Sequence, residues 1–256
     1  MERRKFIQWR DLLVNLVARD MKMRYKRSIL GNLWSLINPL LLLVIYYFLF
    51  AQVLKVDIPN YPLFLFCAIL PWNWFSSALS MSSRAVIDNR DLVRKPYVPI
   101  QALPIVTTLS TLVNFLFALP VLFVFLIYFR VPLGSALLTL PLIMAIQFLL
   151  ATGLGFMIAT VNVYYRDIQH LIGVVLIFWF YLTPVFYDVS AVPKSFRAAY
   201  DLNPMAHIIT AYRDIFLYAR LPDLPITLIL LLMSAVIFIG GYTIFARYKH
   251  SFVEEL

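Results

Sequence analysis

Six long apolar stretches, near residues 33–54, 61–83, 102–129, 135–163, 168–187 and 224–246, decide most of what this chain can fold into. Each reaches the roughly 20 residues that a helix rising 1.5 Å per residue needs to cross about 30 Å of hydrocarbon. Lipid offers the backbone no hydrogen-bond partners, so such segments must satisfy their own amides and carbonyls as helices. An all-α integral membrane protein with six transmembrane helices is therefore expected, as a single domain over residues 1–256. Composition agrees: 62% of residues are hydrophobic and 14% charged, against about a quarter charged in soluble domains. Pro39, Pro71, Pro120, Pro141 and Pro184 fall in or near the spans, where a missing amide donor kinks or ends a helix.

An even number of spans puts both termini on one side, and the basic residues select it. Sixteen of the 22 Lys and Arg lie before the first span, after the second, after the fourth or after the sixth. Basic loops stay in the cytoplasm, so both termini are expected there, and the net charge of +9 reads as topology rather than as a nucleic-acid surface. Residues 1–32 carry charge throughout, with no apolar core followed by a small-residue cleavage site, so no removable signal peptide is expected. Cys67 is the single cysteine. It permits no intrachain disulfide and reads as a small packed hydrophobe.

The N-terminal segment places Trp9, Leu12, Leu13 and Leu16 at helical spacing among basic residues, the pattern of an amphipathic helix in the headgroup layer. Gly31 and Asn32 should break it. On the outer side, residues 188–223 are too long and too apolar for a simple loop. Pro193 and Pro204 punctuate them, and Ile208, Ile209, Tyr212 and Phe216 recur at helical spacing. Two short helices dipping back into the outer leaflet are expected.

A transporter needs a source of energy, and none is encoded here. No Asp, Glu, Lys, Arg or His falls in the middle of an expected span, whereas ion-coupled carriers keep such groups at membrane depth. None of the seven glycines opens a phosphate-binding G-x-x-x-x-G-K-[ST] loop. His170, His207 and His250 are scattered, with no zinc-ligand spacing. Asp188, Asp201 and Asp214 on the outer segment offer carboxylates to an enzyme acting on lipid-linked sugars. They read better as turn caps and salt-bridged surface groups, Asp188 lying two residues before Ser190 and Asp214 beside Arg213.

Aromatic residues make up 16% of the chain, clustered as Tyr46, Tyr47, Phe48 and Phe50 and as Phe178, Trp179, Phe180, Tyr181, Phe186 and Tyr187. Two readings stand: interface belts and helix contacts, or a ring-lined conduit past which sugars slide. One charged, proline-punctuated island, NRDLVRKPYVPIQALP at 89–104, interrupts the apolar runs. It suits a short cytoplasmic helix begun at Asp88 or Asn89 and stopped before Pro96, with Leu92 and Val93 toward protein.

Four stretches, RYKRSILGNLWSLINPLLLLVIYYFLF (24–50), the island, NVYYRDIQHLIGVVLIFWFYLTPVFYDVSAVP (162–193) and LNPMAHIITAYRDIFLY (202–218), occur in one order around the spans. Together they resemble the permease subunit of ATP-binding-cassette exporters of lipid-linked polysaccharides, the family that moves O-antigens, capsules and teichoic acids. The resemblance covers essentially the whole chain. It implies a homodimer in the bacterial inner membrane, docked to two copies of a cytoplasmic ATPase that carries the ATP and Mg, with no cofactor in this chain. Asn89, Arg90, Asp91, Leu92, Val93, Arg94 and Lys95 would form the coupling helix within a cytoplasmic loop at 84–101. Trp9, Arg19, Arg24, Lys26 and Arg27 would belong to the cytoplasmic gate that meets the lipid headgroup. Tyr46, Tyr47, Phe50, Phe178, Trp179, Tyr181 and Tyr187 would line the channel, and Pro204, His207, Tyr212 and Arg213 would belong to re-entrant periplasmic gate helices. Two other classes remain: an enzyme at the outer face, which would depend on the three aspartates, and a passive channel or scaffold, indifferent to the island.

Overall fold

A computed structural model describes residues 2–24, 26, 28, 30–53, 55, 58–95 and 98–255, and among them every regular element is helical. The first, α1 (Glu2–Arg24), ends with Lys22 and Arg24 in its last turn, where cations oppose the negative end of the helix dipole. It lies against α5 (Ala102–Tyr128). Leu12, Leu13, Leu16 and Val17 are half-buried, as the amphipathic pattern requires. Trp9 is 42% exposed and projects away from its apolar neighbours. Gly31 takes φ +50°, a left-handed turn that favours glycine, and the chain there enters α2 (Trp34–Tyr46).

Among the described residues, five helices are long and apolar enough to cross a membrane. The first is α2 with the wider-turned π-helical Tyr47–Val53 that continues it. The others are α3 (Tyr61–Arg84), α5, α6 (Leu140–Tyr164, entered through the 3-10 turn Ser135–Thr139) and α10 (Leu224–Tyr248). The remaining apolar stretch forms α7 (Ile168–Leu182), whose 15 residues span about 22 Å at 1.5 Å each. It ends at Leu182 rather than at the expected Tyr187, because Thr183 is extended (φ −100°, ψ 138°) ahead of Pro184, the conformation a following proline imposes. Between α3 and α5 lies α4 (Arg90–Val93). Between α7 and α10 lie two short helices, α8 (Arg197–Asp201) and α9 (Pro204–Phe216), and α11 (Phe252–Glu255) follows α10.

The centre of the bundle is α3, with α2, α5, α6, α7 and α9 packed around it. Its Phe64, Phe66 and Phe75 are fully buried, as is Cys67. Polar side chains at this depth turn back on the backbone. Thr107, Thr108 and Thr111 donate to the carbonyls of Leu103, Pro104 and Thr107 at 3.0, 3.1 and 3.0 Å, since no water is present to accept. Gln147 on α6 donates to the Pro71 carbonyl at 2.8 Å, and Asn162 to that of Ser83 at 2.7 Å, joining α6 to α3.

Helices α6 and α10 cross at two glycines. A Cβ on Gly153 would stand 2.6 Å from the Phe238 Cα, and one on Gly241 would overlap the Gly153 carbonyl oxygen. Small residues allow such backbone approach between membrane helices. Gly241→Val is therefore expected to abolish the monodisperse, detergent-purified protein in size-exclusion chromatography. Gly173→Ala, on α7 with no atom near its added methyl, should leave the profile unchanged.

Candidate functional site

The island is helical as α4, preceded by the 3-10 turn Ile87–Asn89. Asn89 stands at the start of α4 without capping it. Its side chain instead donates back to the Ala85 carbonyl at 3.0 Å, fastening the turn to the end of α3. Val93 is buried and Leu92 partly so, in a small cluster with Phe156, Phe245 and Phe252 of α6, α10 and α11. Asp91, Arg94 and Lys95 are exposed, and Arg90 is half-buried. Thus α4 has an apolar side that joins a cluster shared with three other helices and a charged side that faces out, the arrangement a docking element needs.

The cations expected at the cytoplasmic gate are divided by the fold. Arg19 and Lys26 are exposed, Arg24 is held by Asp20 at 2.7 Å one turn earlier, and Arg27 lies outside the described residues.

Across α2 and α7 the structure assembles an aromatic cluster. Tyr46 lies 5.6 Å from Phe180, Phe50 stacks on Phe186 at 4.6 Å, and Trp72 of α3 closes the back at 5.4 Å from Phe180. Tyr47 accepts from Gln52 at 3.2 Å. Phe178 and Tyr181 are 69% and 55% exposed. Trp179 turns inward, edge-on to Phe75 at 5.1 Å. Beyond the end of α7, a cavity of about 520 Å³ is bounded by Trp179, Tyr181, Tyr187 and Tyr200.

The outer segment is organised by two residues with different histories in the sequence. Asn203 caps α9 by accepting from the Met205 amide at 3.1 Å. It also accepts from the Trp179 indole at 2.8 Å and donates to the Thr183 hydroxyl at 3.0 Å. Its place before a proline at the head of an apolar run was a legible N-cap signal; its bond to α7 was not. Arg213 was expected beside Asp214 at the surface. The structure corrects this: the two point apart along α9, Asp214 pairs with Arg220 at 2.7 Å, and Arg213 is only 3% exposed. Its guanidinium donates to the carbonyls of Pro184 and Val185 at 2.7 Å each and of Phe64 at 3.4 Å, and stands 3.4 Å over the Phe64 ring. Burial pulls its pKa down to about 10, which leaves it charged at neutral pH. Burial raises the pKa of Asp214, and its hydrogen bond and charge pairing with Arg220 offset part of the rise.

The other outer residues are also engaged. Pro204 is the first residue of α9, Tyr212 is fully buried, and the His207 ring meets the Asp201 carbonyl at 3.0 Å. Asp188 accepts from the Ser190 amide at 2.9 Å. Burial opposes its ionisation, but the Ser190 bonds and the Arg213 charge outweigh that and lower its pKa. Two of the three aspartates open to an enzyme are thus spent on structure, and among the described residues no cluster of His, Cys, Asp and Glu could hold a metal.

With this geometry in view, the comparisons with known proteins agree on one class. The profile of the ABC-2 type transporter family matches residues 11–217. The chain is 37% identical to the O-antigen export system permease protein RfbA of Myxococcus xanthus, over 99% of this chain and 98% of that one. It is 35% identical to the protein of the same name from Klebsiella pneumoniae, over 96% and 95%. The polysialic acid transport protein KpsM of Escherichia coli is 24% identical over 78% of each chain. The chain belongs to the ABC-2 type transporter family. It is a multi-pass membrane permease of the polysaccharide-export type, and not an enzyme.

The Arg213 contacts give a direct test. Arg213→Met leaves the Pro184 and Val185 carbonyls buried without donors, which should lower stability by about 2–5 kcal/mol. A thermal-unfolding midpoint in detergent well below that of the unaltered protein is expected, with Arg213→Lys intermediate because one ammonium cannot span the same carbonyls.

Proposed function

We propose that this chain forms the channel of an ATP-driven exporter that carries polyprenyl-pyrophosphate-linked polysaccharide, of the O-antigen kind, across the bacterial inner membrane. The observation that carries the reading is the near full-length similarity to permeases named for O-antigen export. In this reading the working unit is a homodimer with two copies of a separate cytoplasmic ATPase that binds ATP and Mg. Both termini are cytoplasmic and α7 completes a sixth crossing together with the chain beyond it.

Each feature of the site then has a task. The charged side of α4 meets the ATPase, and its buried Val93 passes displacement to α6, α10 and α11 through their phenylalanines. The uncovered sides of α2 and α7 face the second copy across the channel, with Tyr46, Phe50, Phe178 and Tyr181 offering flat apolar faces with polar edges to passing sugars. Exposed Arg19 and Lys26 draw the anionic headgroup to the cytoplasmic surface. The α8–α9 pair, fixed by Arg213 and Asn203, forms the outer gate.

Co-purification from membranes with the ATPase tests this. The unaltered chain should yield a complex of two permeases and two ATPases, and Leu92→Asp with Arg94→Glu should dissociate it or uncouple ATP hydrolysis from transport. A chain that purifies alone and ignores both substitutions would falsify the reading.

A further inference from the structure

A cavity of about 600 Å³ opens between α2, α3 and α5, with α1 at its mouth and no contribution from α7. Its volume lies within the range of small-molecule sites, about 300–1,000 Å³. Three helices each bring a carboxamide to it: Asn38 from α2, Asn73 from α3 and Asn114 from α5. Asn73 and Asn114 stand close to the midpoints of their helices, so these amides are at membrane depth.

Amides at that depth elsewhere in the chain are occupied. Gln147 and Asn162 both donate to carbonyls of α3, and Asn162 also accepts from the Gln169 amide at 3.1 Å. In the cavity Asn114 is engaged, whereas the side chains of exposed Asn38 and Ser77 and half-buried Asn73 make no hydrogen bond among the described residues. Unpaired amides facing hydrocarbon are costly, so these groups mark a place for a polar occupant rather than for lipid tails.

The charge of the cavity narrows what that occupant is. Among the described residues its single charged lining residue is Arg24, already paired with Asp20, which favours an uncharged polyol over a phosphate. A carboxamide offers two donors and an acceptor, matching adjacent hydroxyls. Trp34, 40% exposed at the rim, supplies a flat face for the C–H side of a pyranose. We propose that this cavity is a saccharide site, which holds a neutral sugar unit of the lipid-linked substrate behind α2 before it reaches the α2–α7 face. The inference rests on the exporter reading and adds a place for the sugar that the aromatic cluster does not provide.

The test uses the complex of the full chain with its ATPase in nanodiscs. Two probes are titrated, polyprenyl pyrophosphate bearing one N-acetylglucosamine and polyprenyl pyrophosphate alone. The sugar should tighten binding about tenfold, the effect of one or two net hydrogen bonds. Asn73→Leu and Asn38→Leu should erase that ratio while leaving the affinity for the sugar-free probe within about twofold. In case either substitution disturbs folding, a photoreactive group on the sugar is crosslinked to the unaltered chain, and labelled peptides are expected from α2, α3 and α5. Equal affinity for the two probes, an unchanged ratio in the variants, or label confined to α7 overturns the assignment. A complex that transports yet binds without regard to the sugar refutes only this site, whereas an unaltered complex without ATP-dependent transport refutes the exporter reading itself.

Discussion

A guanidinium buried without a carboxylate partner holds the α7–α9 end of this protein together. Arg213 is sequestered beneath the outer segment, with its hydrogen bonds given to main-chain carbonyls of Phe64, Pro184 and Val185. Two of those carbonyls belong to the turn that follows α7, where Pro184 ends the helix and the last carbonyls have no amide partners within it. The cation also sits at the negative end of the α7 dipole. One side chain on α9 therefore ties together the turn that follows α7 and the head of α3 beneath α9. The Asn203 bonds to Trp179 and Thr183 repeat the connection one element earlier.

The opposite end of the bundle is held differently. There the contacts are apolar: Val93 of α4 sits with Phe156, Phe245 and Phe252, and the glycine crossing of α6 and α10 sets the spacing of the helices that carry those rings. A push on α4 thus meets closely packed side chains, which transmit displacement because protein interiors have little free volume. Between these two ends, α2 and α7 expose much of their apolar surface, as does α10.

The spans were legible because hydrocarbon thickness acts on sequence through length alone, and five of the six apolar stretches became helices of sufficient length. The sixth was misjudged at its end, since Tyr187 prolongs the apolar run but Pro184 controls the backbone. Prolines were given as potential stops in general, and the decisive one could be recognised only once the extended Thr183 was seen. The island was legible as a charge anomaly, and its inner and outer sides followed from Leu92 and Val93. Arg213 was misread because its chain neighbour Asp214 suggested a pair. Side chains adjacent on a helix diverge by about 100°, so the true partners, distant carbonyls, left no trace in local spacing. The membrane-depth asparagines were present in plain view, yet whether an amide joins helices or faces a cavity depends on tertiary packing.

Under the proposed function, this chain conducts polysaccharide only when an ATPase drives it. The most direct measurement reconstitutes the permease in proteoliposomes with its ATPase and follows a fluorescent oligosaccharide on polyprenyl pyrophosphate from one leaflet to the other. The account predicts translocation that requires both proteins and hydrolysable ATP. Equal movement with the permease alone, or with ATP omitted, would contradict it.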